Sequence, residues 1–250
     1  DERHRPDSLP HLTGDSVNMT TWYAIPSKRP PAEAESSLRQ WRQQGYRVAL
    51  WRDSGDEPVA CDMLLTGPYP GYARAVNALC GEIVRRDADC QWIVTGGDDI
   101  QPDPFSLAAQ IAMDCTVHFG GTFGVMQPTG DRWGEDAKGS AYIDRICGSP
   151  WMGREWCERM YGGRGPLFEG YAHMFVDEEL QGVAVRLGAL WQRRDLCQHH
   201  DHWMRSESRQ MPAFLAMANS PKHWQESQAL FNRRKAAGFP GHEPAVRVAA

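Results

Sequence analysis

The stretch CQWIVTGGDDIQPDP (90–104) decides the fold. Cys90–Gly97 reads as an apolar strand stopped by two glycines, and Asp98 and Asp99 follow at once. Upstream, GYARAVNALCGEIVRRD (71–87) places Ala75, Leu79 and Ile83 on one helical face. Before it come short strands CDMLLTG (61–67) and YRVALWR (46–52). The helix AEAESSLRQWRQQG (32–45) sets Ala34, Leu38 and Trp41 at helical spacing and closes on Gly45. The β-branched and aromatic run TTWYAIP (20–26) is a first strand ending at Pro26. Downstream, a helix is expected near Pro104, with Asp103 as its N-cap, running through FSLAAQIAMD. Strand and helix in alternation predict βαβ crossovers and a mainly parallel sheet, an α/β fold. Such sheets bind ligands beyond the carboxyl ends of their strands. The polar clusters Ser27-Lys28-Arg29, Arg52-Asp53 and Asp98-Asp99 are therefore expected on one rim.

The second half is less regular. Residues 115–150, rich in Gly and Thr, fit strands with long loops. SPWMGREWCERMY (149–161) reads as a helix opened by Ser149 with Pro150 at its first position, and GGRGP (162–166) as a turn. DEELQGVAVRLG (177–188) is a helix with an acidic start, as the helix dipole favours. ALWQRRDLCQHHDHW (189–203) fits a strand leading into a histidine-rich loop, and HWQESQALFNRRKAAG (223–238) a last helix. Residues 1–19 are expected to form a polar arm, 20–205 one domain with halves 20–114 and 115–205, and 206–250 a helical extension.

Composition narrows the classes. Of 250 residues, 41% are hydrophobic and 24% charged, which is the balance of a soluble globular chain with a substantial core. No run approaches the roughly 20 apolar residues of a membrane-spanning helix, and the start lacks the apolar centre of a signal peptide. Seven irregularly spaced cysteines without a C-x-x-C pair argue for free thiols in a reducing compartment, so a cytoplasmic location is expected. The balance of 27 Lys and Arg against 32 Asp and Glu, a net charge of −5, argues against coating nucleic acid by bulk electrostatics but not against a local basic groove.

Asp98-Asp99 forms a ready divalent-cation site, since hard carboxylate oxygens suit Mg²⁺ or Mn²⁺ bridging protein to phosphate; the rival reading is a turn capped by its own Asp side chains. His199, His200 and His202 lie within four residues, and His200 and His202 share a face if extended. In FVDEELQ (175–181), Asp177 at the loop–helix junction is the first candidate general base and Glu178 the second, against simple compensation of the helix dipole. Arg74 and Asn77, in the first turns of a helix, suit a phosphate or a sugar hydroxyl, and Arg74 equally suits plain solvation. Trp151, Arg154 and Trp156 suggest an aromatic stacking surface, although any single tryptophan belongs more often to a core.

Together these segments, over roughly 20–205, resemble the GT-A glycosyltransferases, the nucleotide-diphospho-sugar transferases. YAIPSKRP resembles their first strand and nucleotide loop, LWRDSGD their second strand end, and GYARAVNAL their following helix. GGDD stands where the family places its D-x-D metal motif, with Gly97 in place of the first Asp. YAHMFVDEEL resembles the segment of the catalytic acid, and DLCQHHDHW that of a late metal-binding histidine.

The resemblance implies a metal-dependent, inverting hexosyltransferase using a nucleotide sugar, most simply a UDP-sugar. Pro26, Ser27, Arg29, Arg52, Asp53, Arg74, Asn77 and Asp98 would hold the donor. Asp99, His200 and His202 would hold Mn²⁺ or Mg²⁺, and Asp177 and Glu178 would be catalytic. VMQPTGDRW and CGSPWMGREWC are similar to small phage glycosyltransferases, some of which modify hydroxymethylpyrimidines in DNA. On that likeness Arg132, Trp133, Trp151, Arg154 and Trp156 would contact a DNA acceptor in a host cytoplasm. Glycan, lipid or protein acceptors stay open. So do a metal-dependent phosphohydrolase or nucleotidyltransferase, and a non-catalytic carbohydrate- or nucleic-acid-binding module.

Overall fold

The computed structural model describes residues 19–171, 173–205, 210–211 and 220–246. Nearly all of the expected N-terminal arm, and parts of the C-terminal extension, lie outside the described residues. In chain order the elements are β1 (Thr20–Pro26), α1 (Pro31–Gln43), β2 (Arg47–Arg52), β3 (Met63–Thr66), α2 (Tyr72–Arg86), β4 (Cys90–Val94), β5 (Ile100–Gln101), α3 (Ala108–Phe119) and β6 (Val125–Pro128). They continue with β7 (Trp151–Gly153), α4 (Arg154–Gly163), α5 (Val176–Arg186), β8 (Leu190–Arg193), β9 (His199–His200) and α6 (Pro221–Ala236). Helical φ/ψ are lost inside α4 at Met160, Tyr161 and Gly162.

Seven strands form one mixed sheet in the order β3-β2-β1-β4-β7-β6-β8, flanked by helices. β3, β2, β1 and β4 run parallel, in the 3-2-1-4 order of a Rossmann half-sheet. β1 is buried on both faces. Trp22 and Ala24 join α2, α4 and α5 in one core, while Tyr23 and Ile25 join α1 and α3 in the other. This is why β1 reads as a nearly continuous apolar run. Trp41 of α1 stacks on Tyr23 at 3.7 Å and donates its indole N–H to Ile100 O at 3.1 Å, locking α1 to the segment after β4. All seven cysteines are free thiols, and no helix among the described residues is long and apolar enough to cross a membrane.

Two sequence expectations are corrected. The segment 149–161 is not one helix, because Trp151–Gly153 is a strand inserted antiparallel between β4 and β6, and helix begins only at Arg154. At Gly153 a Cβ would fall 2.0 Å from Thr122 O, so only glycine allows the close approach there. Asp103 is not an N-cap either. Its carboxylate accepts the N–H groups of Phe105 and Cys197, both at 2.9 Å, and α3 starts later, at Ala108.

Candidate functional site

The acidic tip after β4 is shaped by two glycines. A Cβ on Gly96, whose φ is +150°, would lie 2.6 Å from Ile100 Cδ1, and a Cβ on Gly97 would lie 2.3 Å from Asp99 Oδ1. The space that a side chain at position 97 would enter is thus taken by the carboxylate of Asp99. Tyr23 donates its hydroxyl to Gly97 O at 2.7 Å and fixes the turn from below. Asp98 is spent on β1: Ser27 Oγ donates to it at 2.7 Å, Arg29 Nε lies 3.1 Å away, and its backbone carbonyl accepts from Ser37.

Asp99 faces the histidine segment. β5 and β9 form a two-stranded ribbon that sets His200 opposite Ile100, and Asp201 N–H donates to Asp99 O at 2.8 Å. His200 Nε2 consequently stands 3.2 Å from Asp99 Oδ2. Burial works against ionisation of Asp99, but the hydrogen bond and charge of His200 outweigh it and hold the carboxyl below its usual range. Asp131 steadies the ribbon by accepting His200 N–H at 2.8 Å and a short contact from the Arg205 guanidinium. The His202 ring lies 5.0 Å from that of His200 and 5.3 Å from Trp133. Burial and the neighbouring His200 lower the His202 pKa, which favours the neutral imidazole.

Beneath this edge a buried polar network ties the ribbon to the sheet. Trp151 Nε1 donates to Gln198 Oε1 at 2.6 Å, and Gln198 Nε2 donates to Ser149 O.

Asp177 and Glu178 open α5 at the same end of the sheet. Thr95 N–H donates to Pro150 O beside β4, and Cys147 N–H donates to Asp177 O at 3.3 Å, so the strand leading into the acidic tip and the start of α5 share the 147–150 segment. Tyr72 hydrogen-bonds Thr95 Oγ1 at 3.3 Å, and the charge of Asp177 reaches Tyr72, Tyr142 and His173. Burial, then the hydrogen bond to Asp177 and its charge, push Glu178 up to about 9. Glu178 Oε2 is buried without a partner. At neutral pH Glu178 therefore keeps its proton. Burial lowers the pKa of His173. Sequence reading missed Tyr72, Tyr142 and His173. His173 lies in the turn just before α5, four residues ahead of Asp177 in sequence.

The remaining donor candidates separate. Pro26 ends β1 at the rim, Asp53 pairs with Lys28 at 3.2 Å, and Arg74 is exposed, 3.8 Å from Glu169. Arg52 is buried beneath the rim, where NH1 and NH2 donate to backbone carbonyls of the 27–29 loop. Its Nε and the Trp51 indole N–H are buried donors without partners at the end of β2. Tyr69, which the sequence reading did not single out, is half exposed and close enough to Asp53 to feel its charge. Asn77 is a correction. Its amide accepts Leu167 N–H and donates to Leu167 O and Glu169, so it braces a loop and is not free for a ligand.

Four acceptor candidates are also corrected. Trp151 and Trp156 are fully buried in the two cores. Arg154 donates to the carbonyls of Val84, Asp87 and Cys90 at the amino-terminal end of β4, away from the strand ends that carry Asp99. Arg132 is consumed inside its own loop by Asp144, Glu135 and Gly139 O. Trp133 alone of the five stays at the rim, stacked near His202 with Arg205 over its ring at 4.9 Å.

Among the described residues no group of three or more His, Cys, Asp and Glu side chains is arranged to hold a metal. Asp99 and His200 offer one carboxylate and one imidazole. That donor set fits a divalent ion completed by substrate oxygens and water, and does not fit a closed protein-only centre. No protein-family model matches the chain, and no curated protein matches it.

Proposed function

We propose that this chain is a metal-dependent group-transfer enzyme acting on a diphosphate-linked donor. More specifically, we read it as a GT-A-type glycosyltransferase moving a hexose from a nucleotide sugar, most simply a UDP-sugar, to an acceptor hydroxyl with inversion. One observation carries the reading: the ends of β1 and β4, the histidine ribbon and the start of α5 bring Ser27, Arg29, Asp98, Asp99, His200, Asp177 and Glu178 to one end of the mainly parallel sheet.

Asp99 and His200 are the residues that would hold Mn²⁺ or Mg²⁺, which would supply positive charge to offset that of a diphosphate. Asp98, held by Ser27 and Arg29, keeps the tip in shape. The buried unpaired donors of Trp51 and Arg52, with Tyr69 and Asp53, suit the nucleoside end of the donor. Asp177 accepts the acceptor's hydroxyl proton as that oxygen attacks the anomeric carbon, and the nucleoside diphosphate leaves with the bonding electrons. Glu178, protonated, hydrogen-bonds Asp177 and steadies it. A hydroxymethylpyrimidine in DNA remains one acceptor of the right kind, with Trp133 as its stacking face.

The test is a thermal-shift panel of nucleotides and nucleotide sugars with and without Mn²⁺, followed by product analysis with the donor that binds. A metal-dependent stabilisation by one nucleotide sugar supports the reading. No stabilisation by any of them ends it, and release of a sugar 1-phosphate with a nucleoside monophosphate points instead to a phosphohydrolase.

A further inference from the structure

The start of α5 is built on a residue that does not hold its own conformation. Phe175, immediately before the helix, has φ +73° and ψ 5°, the left-handed region that side chains other than glycine rarely adopt. Its ring is held from outside by α6: Phe231 stacks on it at 5.3 Å and Trp224 packs at 5.2 Å. One turn later Glu179, 1% exposed, receives Arg234 of α6 through two hydrogen bonds of 2.8 and 2.7 Å, along with the hydroxyls of Tyr161 and Tyr171. A turn further on, Phe239 lies where a Cβ on Gly182 would sit, 2.6 Å from its Cε2, so only a glycine admits that ring. The chain then ties down onto α4, with Gly162 N–H donating to Glu243 O and Ala245 N–H to Arg159 O. Three successive turns of one helix are thus gripped by residues 224–239.

We propose that the C-terminal segment 221–246 is a positioning brace for Asp177 and Glu178: it holds Phe175 in the left-handed conformation and thereby sets the direction in which the first turn of α5 presents its carboxylates. The inference rests on the reading of Asp177 as the proton acceptor, but its structural part can be measured without any turnover. Phe231, Trp224 and Arg234 are positioning residues, since each touches α5 and none touches the acidic tip.

The decisive variant is Phe231→Ala, tested alone and with Phe175→Gly. Glycine adopts positive φ without a ring to hold it there, so it should restore the turn when the brace is cut. Hydrogen exchange of peptides spanning 173–181 is compared with that of β1 and β4. In Phe231→Ala the α5 peptides should exchange at least about tenfold faster with the strands unchanged, and adding Phe175→Gly should slow them again. In the transfer assay, kcat should fall at least about tenfold at nearly constant KM for the nucleotide sugar, with recovery in the double variant. Unchanged exchange at α5, or equal acceleration throughout the sheet, overturns the brace. A brace confirmed by exchange in a protein that transfers no sugar leaves the brace standing and overturns the proposed function instead.

Discussion

Asp99 Oδ2 lies 3.2 Å from His200 Nε2 across a ribbon of two-residue strands, so the carboxylate after β4 and a histidine a hundred residues later form one unit. His200→Ala is expected to lower Mn²⁺ affinity by about 10- to 100-fold, and Asp99→Asn to remove the Mn²⁺-dependent thermal shift altogether. Both are read by titrating Mn²⁺ against protein with the donor nucleotide present. An unchanged titration in Asp99→Asn would take that residue out of the proposed metal site.

Gly97→Ala tests the same unit from the other side. The new methyl competes with Asp99 Oδ1 for one position, so the carboxylate must rotate away from His200. The expected outcome is a folded protein, with a circular dichroism spectrum like that of the wild type, that no longer responds to Mn²⁺.

Asp177→Asn keeps shape and removes the proposed proton acceptor. Transfer should fall by about 10²- to 10⁴-fold, with nucleotide binding by thermal shift nearly intact. Wild-type turnover in that variant would remove Asp177 from the mechanism.

The protonated Glu178 leaves a mark on stability. Its folded pKa of about 9 lies above the ordinary carboxyl value of 4.5, so between these pH values the native state holds a proton that the unfolded chain has lost. Stability therefore declines as pH rises through this window and levels off beyond about 9. Glu178→Gln should flatten that decline, which denaturant titrations between pH 5 and 9 would show. A wild-type slope in the variant would assign the effect to another group.

Arg234→Leu strands the buried Glu179 carboxylate and should cost about 3–5 kcal/mol, while Glu179→Leu with Arg234→Leu should recover most of it. Denaturant midpoints of the two variants decide the matter.

These variants fall at places of unequal legibility. β1, β2 and β4 were readable because a parallel strand buried on both faces is a dense apolar run, and Asp98-Asp99 stood out where such a run stops. β7 was hidden because Ser149-Pro150 carries a helix-start signature, while the hydrogen bonds that make Trp151–Gly153 a strand come from distant β4 and β6. β5 and β9 are too short to show a period, yet they deliver His200 to Asp99. Among the three acids opening α5, local sequence could not single out Glu179, since its partners Arg234, Tyr161 and Tyr171 come from three other segments. Trp151, Trp156 and Arg154 misled for a related reason: an aromatic-basic cluster in sequence says nothing about which side chains end up inside.

The late insertion of β7 also bears on how the chain is made. A ribosome releases β1, β2, β3 and β4 first, and these can pair among themselves. The outer border of β4, with Trp92, Ile93 and Val94 all wholly buried in the finished molecule, has no neighbour until Trp151–Gly153 has been synthesised. For that interval the nascent protein carries an open strand margin able to pair with the wrong strand.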